Sequence, residues 1–134
     1  MSSATIPMRR KNDACSMEIE PSSLIPDQIA TLAERFRVLS DSTRLEMLDL
    51  LAQQRAPLCV CDIAPRFQQN QPTISHHLKV LHAAGFIDSE KHGLWSHYWI
   101  TNLGKAVMTC TAVLLATGEN HGRNSLPSDQ KSSA

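Results

Sequence analysis

Two cysteines one residue apart, Cys59 and Cys61 in Leu58-Cys59-Val60-Cys61-Asp62-Ile63-Ala64, are the side chains of this sequence best suited to chemistry. Thiolates are soft ligands and select soft ions. Regular backbone does not bring such a pair onto one small ion. On an α-helix, residues i and i+2 lie roughly 200° apart. On a strand they share a face, but their sulfurs start ~6.5 Å apart. Chelation therefore requires local rearrangement of whatever element begins here. A helix starting at Cys61 is expected to lower the pKa of its thiol. The competing account is two small buried hydrophobes. Asp62 could add an oxygen to a harder ion, although a carboxylate at a helix start is already explained by the helix dipole.

About ten residues further on, Gln71-Pro72-Thr73-Ile74-Ser75-His76-His77-Leu78-Lys79-Val80-Leu81 reads as a short helix that could lie in a DNA groove. Ile74, His77, Leu78 and Leu81 share one side, which makes His77 structural. Pro72, His76 and Lys79 lie opposite. Thr73 and Ser75 fall in the first turn, where recognition helices touch bases. Gln69 and Gln71 precede it and could reach an adenine edge or phosphates. Lys91 and His92 stand at the tip of a candidate hairpin, suited to phosphate contact or simply solvated.

Other elements must position these groups. Ile29, Leu32, Phe36 and Leu39 form one stripe of an amphipathic helix over 27–40. Ser40-Asp41-Ser42 breaks it and can cap a second helix, which runs to about Gln53 with Leu45, Leu48, Leu51 and Ala52 on one face. A turn over 54–57 leads to a very short third helix from Cys61 to Phe67. The fourth helix opens after Asn70 or Gln71, with Pro72 at its start, and stops at Gly85. Strands are expected over 86–91 and 94–100 around a His92-Gly93 turn. A last helix over 102–116 places Leu103, Val107, Cys110 and Leu114 on one stripe. Cys110 there suits a dimer core better than a ligand role. The order is that of a mainly α fold with a β-hairpin wing, a winged helix-turn-helix.

The totals agree. Length allows one domain: a polar arm over 1–22, a folded part over 23–117 and a polar tail over 118–134. About 95 residues make a marginal solitary core, so two apolar helix stripes suggest a dimer through the first and last helices. Hydrophobic content of 42% with 4% aromatics fits a globular chain that is not a large β-sandwich. The formal net charge of +0 gives no help to nucleic-acid binding, though five of the six histidines fall between 76 and 97. Four cysteines, irregularly spaced, do not make a disulfide scaffold. No apolar run reaches membrane-spanning length, and Arg9-Arg10-Lys11 is not followed by a signal-peptide core. A cytoplasmic protein with reduced thiols and no membrane partner is expected.

Three segments together resemble the ArsR/SmtB family of metal-sensing repressors: Leu39-Ser40-Asp41-Ser42-Thr43-Arg44-Leu45, the Cys59–Cys61 segment, and Gln71 to Leu81 with Ala84-Gly85-Phe86-Ile87 after it. The similarity covers roughly 27–101. It implies a homodimer that sits on double-stranded operator DNA and leaves it when an ion binds. The Cys-Val-Cys-Asp form is similar to the arsenite- and antimonite-responsive branch, and also to a cadmium/lead branch. Trivalent arsenic and antimony take three thiolates, whereas cadmium and lead often take four sulfurs. The resemblance implies that a cysteine on the N-terminal arm closes the site, commonly between protomers, which points to Cys15. That arm carries a single thiol between Ala14 and Ser16, which favours a three-sulfur ion. The family's alternative site in the last helix needs Asp-x-His, and this chain has Thr101-Asn102-Leu103 there. The expected ligand set is Cys59, Cys61 and Cys15, and the expected inducer is arsenite or antimonite. A cadmium-, lead- or zinc-responsive repressor and a cysteine redox sensor stay open as alternatives. A thiol enzyme would want Cys-x-x-Cys beside a βαβ unit or a nucleophile with a positioned base, and neither is present.

Overall fold

The computed structural model describes residues 18–121. Its elements are α1 (Pro26–Leu39), α2 (Ser42–Ala52), β1 (Leu58–Cys59), α3 (Val60–Ile63) running into a 3₁₀ turn over Ala64–Arg66, α4 (Gln71–Ala83), β2 (Ile87–His92), β3 (Trp95–Ile100) and α5 (Asn102–His121). Among the described residues no helix is long and apolar enough to cross a membrane.

The helix boundaries follow from local chemistry. Pro26 opens α1, where its missing N–H is no loss. Asp41 caps α2, its carboxylate accepting from Arg44 N–H at 3.2 Å. Asn70 caps α4 in the same way through Thr73 N–H at 3.0 Å. α4 ends in a Schellman motif: Phe86 N–H donates to Leu81 O and Gly85 N–H to His82 O, with Gly85 at φ 83. Both Leu81 and Phe86 are fully buried, which supplies the motif's apolar contact. Thr101 Oγ1 then accepts from Gly104 N–H at 3.2 Å while donating to Gly85 O at 2.6 Å, so the start of α5 is tied to the end of α4.

Met47, Leu48, Leu51, Ile63, Ile74, Leu78, Leu81, Phe86, Ile87 and Ile100 make one core between α2, α4 and the sheet. Met47 was not on the expected stripe of α2, yet it is fully buried while Leu45 is only half-buried. The outer faces of α1 and α5 stay open, with Phe36 66% and Leu114 68% exposed.

The sheet has three antiparallel strands in the order β1-β3-β2. β1 was not expected: two residues are too few to display a period. The third helix correspondingly begins at Val60 and gives way to a 3₁₀ turn with Pro65 inside it. The hairpin also differs from expectation. His92 belongs to β2 and pairs with Trp95, so the loop is Gly93-Leu94. Only Gly93 has positive φ, which is the pattern of a turn with glycine at its first loop position. α5 continues to His121, beyond the expected helix end at 116.

Candidate thiol site and nucleic-acid interface

Cys59 has two structural duties. It is the last residue of β1, paired with His97 of β3, and it is the N-cap of α3. Its sulfur accepts Cys61 N–H at 3.3 Å, and its own N–H donates to Asp62 Oδ2 at 3.1 Å. This is a reciprocal cap with sulfur in the place usually taken by a hydroxyl. Asp62 is thereby explained as part of the cap.

Cys59 is 4% exposed, whereas Cys61 faces solvent. The Cys61 thiol is pushed up from its ordinary pKa, first by its hydrogen bonding with Cys59, then by desolvation and by the negative charge of Cys59 and Asp62. The expected depression does not occur. A four-residue helix offers little dipole, and the Asp62 carboxylate sits where that dipole would act.

Cys15 lies outside the described residues. Cys110 is exposed on α5, so in a single chain it is not a core residue. Among the described residues no three His, Cys, Asp or Glu side chains are already gathered around a common point where an ion could sit.

On α4 the inner face carries Ile74, His77, Leu78 and Leu81, all buried as expected. His77 is held by a contact that the sequence pattern did not reveal. Its Nδ1 accepts from Arg44 Nε at 3.2 Å, and Arg44 Nη1 also donates to Val38 O at 3.2 Å. One guanidinium thus joins the end of α1, the first turn of α2 and α4. An arginine and a histidine 33 residues apart leave no periodic signal to read.

The outer face of α4 presents Gln71, Pro72, His76 and Lys79 to solvent, with Thr73 and Ser75 half-buried. Gln69 is engaged within the protein, Nε2 donating to Thr43 Oγ1 at 2.9 Å. Reaching DNA requires it to give up that bond. Lys91 and His92 are exposed near the hairpin loop, and His92 Nε2 lies 3.4 Å from Glu90 Oε2. Lys79 and Lys91 are exposed and have no ion-pair partner among the described residues.

His76→Ala and Lys79→Ala are expected to weaken operator binding while leaving the melting temperature unchanged, because both side chains project from the side opposite the core. Loss of a phosphate-contacting Lys79 should also flatten the logarithmic salt dependence by about one unit of slope. Anisotropy titrations across a salt series, beside thermal melts, check both outcomes.

Residues 41–89 match the model of a family described as "Bacterial regulatory protein, arsR family". The chain is 44% identical over 70 residues to an uncharacterized HTH-type transcriptional regulator of Methanocaldococcus jannaschii, a match covering 52% of this chain and 78% of the relative. It is 40% identical over 77 residues to the arsenical resistance operon repressor of Escherichia coli, covering 58% of this chain and 60% of that protein. It is 41% identical over 68 residues to the cadmium resistance transcriptional regulatory protein CadC of Listeria innocua, covering 51% and 56%. Among solved structures, the homodimeric winged helix-turn-helix DNA-binding domain Mb0332 of Mycobacterium bovis superposes with a TM-score of 0.60 at 25% identity, covering 78% of this chain and 93% of the other.

Proposed function

This chain belongs to the arsR family of bacterial regulatory proteins, a family of DNA-binding transcriptional repressors rather than enzymes, and from that premise we propose that it leaves its operator on binding trivalent arsenic or antimony through Cys59, Cys61 and Cys15. The observation that carries this reading is the cap at the β1–α3 junction. An ion that takes the Cys59 sulfur competes with Cys61 N–H for it. Binding therefore uncaps α3, a loss of about 1 kcal/mol for an ordinary N-cap. α3 leads through Ala64–Arg66 and a short loop directly into α4. The inducer site and the DNA-reading helix are thus neighbours in the chain, and strain at one is delivered to the other.

Soft thiolates suit soft ions, and a single arm cysteine makes three sulfurs in all, the number that arsenite and antimonite take. A cadmium-responsive repressor is the second reading, supported by the likeness to CadC. A peroxide-type redox switch is less well supported, because a Cys61 thiol held above its ordinary pKa is a poorer nucleophile at neutral pH. The test is operator release followed by anisotropy against arsenite, antimonite, cadmium and peroxide. Release by arsenite or antimonite supports the proposal, and release by peroxide alone overturns it. Acting on DNA, the protein would work in the cytoplasm.

The working unit we propose is a homodimer packed through α1 and α5. Ile29 and Phe36 on α1, with Val113, Leu114 and Leu115 on α5, are large apolar side chains left exposed by a single chain. Such a patch marks an interface. Sedimentation at micromolar concentration should give a dimer, and Phe36→Glu should shift it to monomer by burying an unpaired charge.

A further inference from the structure

The sheet row that contains Cys59 continues through His97 of β3 to Glu90 of β2. Directly opposed residues of an antiparallel pair point to the same face, with Cβ atoms about 4.5–5.5 Å apart. The imidazole of His97 therefore leaves the sheet beside the Cys59 sulfur. Alternation along β3 sends Tyr98 and Ile100 to the opposite face, toward the core. Cys59 is buried without belonging to that core.

His97 Nδ1 is buried and has no hydrogen-bond partner, the one side-chain nitrogen or oxygen so placed among the described residues. A buried polar atom left unpaired is rare and requires a reason. The ring's neighbour His92, edge-on at a centroid distance of 5.0 Å, does not supply a partner for Nδ1.

We propose that His97 is a nitrogen ligand, completing with Cys59 and Cys61 a two-sulfur, one-nitrogen site for a soft or borderline divalent cation such as cadmium or zinc. The inference rests on the reading of Cys59 and Cys61 as ion ligands and adds a donor from the wing. Cadmium and zinc accept mixed thiolate and imidazole shells. Trivalent arsenic, bound by sulfur alone, has no use for the imidazole. On loading, each thiol releases its proton to solvent, and the neutral imidazole gives its Nδ1 lone pair with its proton on Nε2. A fourth position is left for water. The donors are not pre-gathered. Closure needs the exposed Cys61 side chain to turn inward and its N–H to release the Cys59 sulfur, the same uncapping that arsenite demands. A divalent ion would in addition bind α3 to β3, so it would act on the wing as well as on α4.

The test uses the full reduced chain and its His97→Gln, His97→Ala and Cys59→Ser variants. Cadmium affinity is read by chelator competition, the ligand shell by X-ray absorption, and arsenite affinity in parallel. The parent should show a cadmium–nitrogen shell. Both His97 variants should lose that shell and about tenfold or more in cadmium affinity, with arsenite affinity unchanged. A sulfur-only cadmium shell in the parent overturns the inference, as does parental cadmium affinity in the His97 variants. Equal loss of both ions in those variants also overturns it, by revealing a packing role. If Cys59→Ser binds both ions like the parent, the thiol reading itself falls.

Discussion

Cys59→Ser and Cys61→Ser will each give a repressor that binds its operator as the parent does but stays on it at arsenite concentrations that release the parent. The apo state should survive both changes. Cys61 is exposed, so a hydroxyl there disturbs no packing. Cys59 is buried, but its sulfur serves as an N-cap acceptor, and serine is among the residues preferred at that position. The α3 cap is retained or strengthened, and with it the placement of α4. The liganded state should not survive. A neutral oxygen does not replace a thiolate for a soft ion, and two thiols cannot complete a three-sulfur shell. A ligand shifts the DNA-bound population only by its differential affinity for the two states. Moving the operator from 99% to 1% occupancy takes a differential of about 10⁴-fold, which one missing thiolate is enough to remove. Arsenite titrations of preformed operator complexes measure this for all four single cysteine variants. Cys110→Ser should release like the parent, and Cys15→Ser should release poorly if the arm closes the site. Parental response in both the Cys59 and Cys61 variants would sink the proposed function.

The parts of this fold that were readable are those governed by a period or by a single special residue. α4 showed both: four apolar-side residues at helical spacing, Pro72 at its start and a glycine at its end. All of these are where the pattern put them, because the buried stripe and the Schellman turn are local decisions. β1 was unreadable because pairing with β3 creates it, and no two-residue segment can announce a distant partner. The hairpin slipped by one residue for a related reason. Gly93 suits either loop position, and the register is set by which of His92 and Leu94 finds a cross-strand partner. At the site, the types and spacing of Cys59 and Cys61 were legible, but their surroundings were not. The Arg44–His77 link and the row joining Cys59 to His97 depend on residues far apart in sequence, and the sulfur cap, though local, takes its form only where β1 meets α3. The raised Cys61 thiol pKa depends on a sulfur and a carboxylate whose positions only the folded junction fixes.

Gly104→Ala will destabilise the fold, whereas Gly118→Ala will not. A Cβ at Gly104 would overlap the Phe86 carbonyl oxygen and lie 2.5 Å from Ile100 Cγ1. Neither neighbour can yield cheaply. The Phe86 oxygen accepts from Thr101 N–H and shares the Thr101 hydroxyl proton with Gly85 O, so moving it loosens the joint between α4 and α5. Ile100 is a core residue whose strand is paired on one side with Ile87. Overpacking of this kind costs about 1–3 kcal/mol or more, against a gain of about 1 kcal/mol in helix propensity over glycine. With backbone on one side of the clash the cost lies at the upper end of that range, and the resulting net loss of about 2 kcal/mol lowers the melting temperature of a domain this size by roughly 8–16 °C. The control lies in the same helix. A Cβ at Gly118 meets nothing within 4 Å, so Gly118→Ala keeps only the propensity gain and should leave the melting temperature unchanged or slightly raised. Thermal melts of both variants at one protein concentration decide the matter, since a dimer's stability shifts with concentration. The opposite signs also carry a functional consequence. The Gly104 contact fixes how α5 leaves the sheet, and the exposed Leu114 and Leu115 that we assign to the dimer lie further along that helix. Gly104→Ala should therefore weaken dimerisation and operator binding together, while Gly118→Ala should leave operator binding intact.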